Sequence, residues 1–196
     1  GAALAVSGAL LQGVFRNPLA DPGLIGVSSG AALGAVAVIV LGVAPLGPFT
    51  LPLAAFLAGA ATTLLVYRLA RRHGRTEVAT LLLVGLALNA LAGAATGLLT
   101  YVADDAELRS IVFWTMGGLG GALWQSVLAV APLILLALLG APWFGRQLNL
   151  FALGESEARH LGVEVERVKR GAVLLAALAT GAAVALAGPI GFVGLI

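Results

Sequence analysis

The chain has 196 residues, 60% of them hydrophobic and 10% charged, with a net charge of +2 and a mean hydropathy of +1.06. Soluble domains are about one quarter charged, so this composition cannot furnish a water-facing surface and describes a polytopic membrane protein. The absence of cysteine excludes disulfides, thiolate metal sites and cysteine nucleophiles. The few basic residues sit in loops, which reads as topology and not as a nucleic-acid surface.

A helix needs about 20 apolar residues to cross the hydrocarbon core. Apolar runs near 1–15 (the end of a span), 24–44, 48–67, 78–102, 122–144 and 171–188 predict the spans. Backbone groups in lipid must be satisfied internally, and porin-like alternation is missing, so the expected fold class is all-α: a polytopic transmembrane helical bundle, one domain over 1–196. The chain opens on Gly1 without a basic leader and stops inside "GPIGFVGLI", which predicts an internal fragment of a longer protein.

In chain order, the first interruption is "FRNPLADPG" at 15–23. Pro18 and Pro22 cannot continue a helix and restrict the residues before them, so the chain turns sharply there. Asp21 precedes the next helix and can cap its free amides. Gly26, Gly30 and Gly34 then stand four apart, as do Gly93 and Gly97. Such spacing serves close helix packing or a self-association face. "GVSSG" at 26–30 resembles a protease nucleophile motif around Ser28. It lacks a base within the membrane, because His73 and His160 fall in loops. Asn89, midway along 78–102, either bonds a neighbouring helix or lines a pathway.

The segment 104–121 reads as a short amphipathic turn or two followed by a glycine run, either a moving connection or a plain loop. The segment 145–170 is long for a connection. In it Ala158, Leu161, Val165 and Val168 recur near helical spacing, and Glu155/Arg159 and Glu166/Arg170 are i,i+4 pairs. Gly162 is expected to split it into two short helices. The apolar stripe wants either a partner protein or the membrane surface. No P-loop occurs, the sole lysine is Lys169, and no helix carries metal-ligand spacing. Neither a catalytic residue nor a metal site is expected.

Ten of the eleven Lys and Arg residues fall in alternate loops: Arg16; then Arg68, Arg71, Arg72 and Arg75; then Arg146, Arg159, Arg167, Lys169 and Arg170. Arg109 alone lies in the other set, beside Asp104, Asp105 and Glu107. The positive-inside rule places 15–23, 68–77 and 145–170 in the cytoplasm and 104–107 outside. Trp124 and Trp143, at opposite ends of one span, suit the interfacial belts or simple lipid-facing bulk.

"SGALLQGVFRNPLADPGLIGVSSGAALGA", followed by "LGESEARHLGV" and "ALAGPIGFVGLI", resembles the permease subunits of ABC importers for iron-siderophores, haem and cobalamin. The likeness runs along the whole chain, in order. Relative to that family, the first helix and most of the last third are missing. The resemblance implies a fragment of a ten-helix type II importer permease, multi-pass in the bacterial plasma (inner) membrane. Its partners would be a second permease copy as a homodimer, two cytoplasmic ATPases and an external substrate-binding protein, with no nucleic acid. The chain itself would be no enzyme and bind no cofactor, ATP being used by the partner subunit. The cargo would be haem or a ferric siderophore, with cobalamin next.

The same resemblance places Asn17, Pro18, Leu19 and Asp21 at the cytoplasmic gate. It assigns Leu153, Glu155, Ala158, Arg159, Leu161, Gly162 and Val165 to the loop that meets the ATPase. Trp114, Met116 and Gly117, from the short outer helix, join Asn89 as pathway candidates. A plain capped turn would keep the same knot residues. The rival function is an ion-coupled secondary carrier, which would need inverted repeats and broken ion-coordinating helices.

Overall fold

The computed structural model describes residues 1–72, 74–120 and 122–191. His73, Gly121 of the 104–121 segment and the last five residues of "GPIGFVGLI" lie outside the described residues. The chain is an all-α membrane helical bundle. Its helices are α1 (Ala2–Phe15), α2 (Val27–Leu41), α3 (Thr50–Ala70), α4 (Val78–Val102), α5 (Asp105–Met116), α6 (Trp124–Gly140), α7 (Pro142–Phe151), α8 (Glu155–His160) and α9 (Val165–Ala187). Between α3 and α4, β1 (Arg71–Arg72) and β2 (Arg75–Thr76) form a two-stranded antiparallel hairpin. Gly47–Ala70, α4 and α9 are each long and apolar enough to cross a membrane, and α6 with α7 passes as a bent pair. α1 and α2 are shorter apolar helices.

α9 is the axis of the bundle. Ala172, Ala176, Ala179, Ala182 and Ala185 are buried along it, and it packs on α1, α3 and α6. Small side chains let helix backbones approach closely, which is the main source of packing energy where lipid is as apolar as leucine. α4 lies at the edge. Leu83, Leu86, Leu91 and Leu98 on it are all exposed, as a lipid-facing surface permits.

The glycines divide by environment. A Cβ on Gly34 would stand 2.6 Å from the Ala54 carbonyl oxygen, and one on Gly59 2.8 Å from that of Val27. The Gly26–Gly34 spacing therefore seats α2 against α3. A Cβ on Gly93 or Gly97, by contrast, would meet nothing within 4 Å, so the packing expected of that second pair does not occur among the described residues.

Several boundaries differ from the sequence reading. Residues 22–25 form a 3-10 turn, and Gly26 at φ +83° breaks it from α2, which ends at Leu41 and not at 44. The 122–144 run bends by 47° between α6 and α7, because Pro142 cannot donate into the preceding turn. α5 is a three-turn helix, longer than the turn or two expected. Asp104 accepts from the Ala106 and Glu107 amides while Glu107 reaches back to the Asp104 amide, a complete capping box. The expected loop 145–170 is mostly helical. α9 begins at Val165 and not at 171, since Val165, Val168 and Ala172 continue its buried stripe through the charged stretch.

Candidate functional site

The knot at 15–23 is built by its own side chains. Arg16 caps α1 in the left-handed conformation (φ 50°), the one non-glycine residue to do so among the described residues. The Asn17 Oδ1 accepts from the Leu19 amide at 2.9 Å, and the Asn17 carbonyl accepts from the Ala20 amide at 3.1 Å. Asp21 Oδ1 accepts from the Gly23 amide at 2.7 Å and caps the 3-10 turn, with Pro22 at its first position. Ala20 and Pro22 are buried, whereas Asn17 and Pro18 are exposed and Leu19 is 73% exposed. The result is a tight turn presenting one leucine at its tip.

Asn89 belongs to this turn. Its Nδ2 donates to the Gly23 carbonyl at 3.0 Å, and its Oδ1 accepts from the Ser29 hydroxyl. Four residues back along α4, a Cβ on Gly85 would collide with the Leu24 carbonyl oxygen. α4 is thus in direct backbone contact with the 3-10 turn that closes the knot. Asn89 is satisfied within the chain, which favours the structural over the pathway reading of its side chain.

The same end of the bundle holds the hairpin, α8 and the start of α9. Lys169, 2% exposed, donates to the Thr76 carbonyl at 2.6 Å and to Glu155 Oε2 at 2.7 Å. Glu166 accepts the Thr76 amide with both carboxylate oxygens, at 3.1 and 3.0 Å. The expected pairs Glu155/Arg159 and Glu166/Arg170 are replaced by these longer-range contacts. Sequence reasoning missed Lys169, Glu166, Thr76 and Ser29. The one available signal was that the sole lysine stands three residues after Glu166, hence on one helix face.

The apolar stripe assigned to a partner is divided. Ala158 and Val165 are buried with Phe151 and Val168 in a small cluster of the chain's own, so they cannot form an outward face. Leu161 and Leu153 are 60% and 63% exposed, and Arg159 is exposed beside them. Gly162, at φ +86°, turns the chain from α8 into α9, not between two short helices of a loop. A polar cleft of about 450 Å³ lies between Arg16, Arg75, Glu77, Glu155 and Arg159.

At the opposite end α5 leans on α2 and on the end of α9. Trp114 packs beside Ala31, Ala35, Ala55 and Val184, while Met116 is 74% exposed. Gly117 (φ +66°) is a required glycine, since a Cβ there would stand 2.9 Å from the Pro189 carbonyl oxygen. The Gly118 amide donates to the Ala187 carbonyl at 2.7 Å. Between α5 and the α2–α3 connection lies an apolar cleft of about 790 Å³, lined by Val38, Leu51, Phe113 and Trp114 with Glu107 and Ser110 at its polar side. The sequence-selected residues therefore form two groups at opposite ends of the bundle, a rigid turn with its clamp and an outer helix on a cleft.

The profile of the FecCD transport family matches residues 1–196. The chain belongs to that family. It is 47% identical to the hemin transport system permease protein HmuU of Yersinia pestis, over all of this chain and 59% of that protein. It is 45% identical to the cobalamin import system permease protein BtuC of Halobacterium salinarum, covering all of this chain and 52% of the relative. It is 41% identical to the vitamin B12 import system permease protein BtuC of Escherichia coli O157:H7, over all of this chain and 59% of that protein. This FecCD chain thus spans between half and three fifths of these relatives. It also superposes on a solved metal-chelate type ABC transporter in an inward-facing conformation. The TM-score is 0.90 and the identity 37%, over all of this chain and 62% of the other.

Proposed function

We propose that this chain is part of the membrane-spanning pore subunit of an ATP-driven importer of a metal chelate. Haem or a ferric siderophore is the first choice of cargo and cobalamin the second. The observation that carries the reading is the family match along all 196 residues, with 47% identity to a hemin transport permease. The chain does no bond-making chemistry in this reading and binds no cofactor. Two separate ATPase subunits hydrolyse ATP in the cytoplasm, an external binding protein delivers the chelate, and a second permease copy completes the pore in the bacterial plasma membrane.

The geometry supports specific roles. The knot, fixed by Asn17, Pro18 and Asp21, offers Leu19 as an apolar plug that two copies could bring together at a cytoplasmic exit. Leu161 and Leu153, with Arg159, are the exposed groups beside α8 for an ATPase to grip; Glu155 and Gly162 hold the shape of that surface. Trp114 lines the outer cleft, where the chelate would leave its binding protein, and Met116 and Gly117 follow it at the end of α5. None of the relatives named above is described as an ion-coupled carrier.

The test is complementation. The full-length protein, expressed with its partner ATPase and binding protein, should restore growth of a haem-uptake-deficient strain on haem or a siderophore. Growth dependent on this protein but unaffected by a P-loop Lys→Ala change in the ATPase would overturn the reading.

A further inference from the structure

The single lysine of the chain is buried where a membrane protein gains little from a charge. Replacing a buried ion pair by apolar groups is often neutral or stabilising, and the best-attested use of such a pair is to fix register. Here the register fixed is that of one backbone unit. Glu166 and Lys169, one turn apart on α9, hold the amide and the carbonyl of Thr76 respectively. Lys169 also reaches Glu155 at the first turn of α8. The Thr76 hydroxyl is buried and takes no part. The grip is therefore on the main chain of the hairpin, two residues before α4 begins at Val78.

We propose that Lys169 is a positioning residue that makes α8, the 71–76 hairpin and the start of α4 one mechanical body. α4 is a continuous helix, and Asn89 on it holds the Gly23 carbonyl of the knot. A displacement applied at α8 then reaches the knot through Glu155, Lys169, Thr76, α4 and Asn89, each link a hydrogen bond, a helix or, across Glu77, the main chain itself. The source of that displacement, an ATPase beneath α8, rests on the importer reading above.

The chain contains no cysteine, so spin labels can be attached at Glu157→Cys on α8 and Arg75→Cys on the hairpin, both exposed positions. Distances are measured in full-length protein in nanodiscs. The parent should give one narrow distance peak. Lys169→Met, which keeps the apolar stem, should lose it, and so should Glu155→Ala, which frees α8 alone. Thr76→Val, which keeps both main-chain contacts, should retain it. In the assembled importer Lys169→Met should capture the ATPase at the parental level while uptake per ATP falls roughly tenfold, the usual scale of a coupling free energy.

A parental peak in both Lys169→Met and Glu155→Ala overturns the proposal. So does a lost peak with unchanged uptake per ATP, or a loss of ATPase capture in step with uptake, which would make Lys169 a folding residue. If Lys169→Met does not reach the membrane, Glu155→Ala decides. If the parental protein captures no ATPase, the importer reading fails, while the distance peak still decides whether Lys169 ties α8 to α4.

Discussion

Asn89, midway along α4, donates its side-chain amide to the carbonyl oxygen of Gly23 at 3.0 Å. A helix that is otherwise mostly exposed is thereby fastened to the main chain of the knot that carries Leu19. The Gly23 carbonyl accepts this bond beside that of the Gly26 amide, which closes the 3-10 turn at 3.1 Å, and the Ser29 hydroxyl donates to the oxygen of the Asn89 side chain. In hydrocarbon an unpaired amide is costly, so each partner constrains the other.

Asn89→Leu should destabilise the protein by about 1 kcal/mol, the scale of interhelical hydrogen bonds in membranes. Thermal unfolding in detergent measures this, and Ser29→Ala, which removes only the second partner, should cost less. Equal stability of Asn89→Leu and parent would show that α4 is held by packing alone.

The glycines of α4 give a sharper contrast. Gly85→Ala drives a methyl into the Leu24 carbonyl, a backbone neighbour that cannot rotate away, and should cost about 1–3 kcal/mol. Gly93→Ala meets open space and should stay within about 0.5 kcal/mol. Thermal shifts of the two variants side by side check the close contact between α4 and the 3-10 turn that closes the knot.

At α8 the prediction separates buried from exposed apolar residues. Ala158→Asp places a charge in the cluster around Phe151 and should abolish folded expression. Leu161→Asp, on an exposed side chain, should fold normally and lose ATPase co-purification, with the loss of an interface anchor worth about 2 kcal/mol or more. Normal co-purification of Leu161→Asp would move the ATPase contact elsewhere.

That contrast also shows what the sequence could and could not reveal. Helical spans and the all-α class were legible because lipid demands long apolar runs with internally bonded backbones. The inner face of each helix was not, because lipid-facing and buried positions are equally apolar. Ala158 and Leu161 lie on one periodic stripe, yet one is buried and the other exposed. The start of α9 is hidden in the sequence because a charged stretch has the pattern of a loop, although Lys169 and Glu166 carry that charge inward to Thr76. Contacts between residues 76 and 166, or 23 and 89, leave no local pattern. The turn at 15–23 was legible, since Pro18, Pro22 and Asp21 act on their immediate neighbours.

Orientation is open to direct labelling. Single cysteines at Asp105, Arg75 and Glu157, all exposed, should react differently with an impermeant maleimide. Asp105→Cys should label in intact cells, and Arg75→Cys and Glu157→Cys only after permeabilisation. The reverse pattern would invert the topology and remove the knot from the cytoplasmic side.

The knot itself is tested by leak. Leu19→Ala should leave thermal stability unchanged, since its side chain is largely exposed, but proteoliposomes of paired permeases should release a trapped chelate without ATP. Pro18→Ala should lower stability as well, because it relaxes the turn. Vesicles of Leu19→Ala that stay as tight as the parent would reduce the knot to a structural turn.

ATP-driven movement of a metal chelate, on which the other roles depend, is best decided by uptake into proteoliposomes. The full-length protein is reconstituted with its ATPase and binding protein, and haem, a ferric siderophore and cobalamin are offered in turn. One of these should accumulate only when ATP is present on the ATPase side, and none should accumulate from a proton or sodium gradient alone. Uptake driven by an ion gradient in the absence of the ATPase would refute the importer reading.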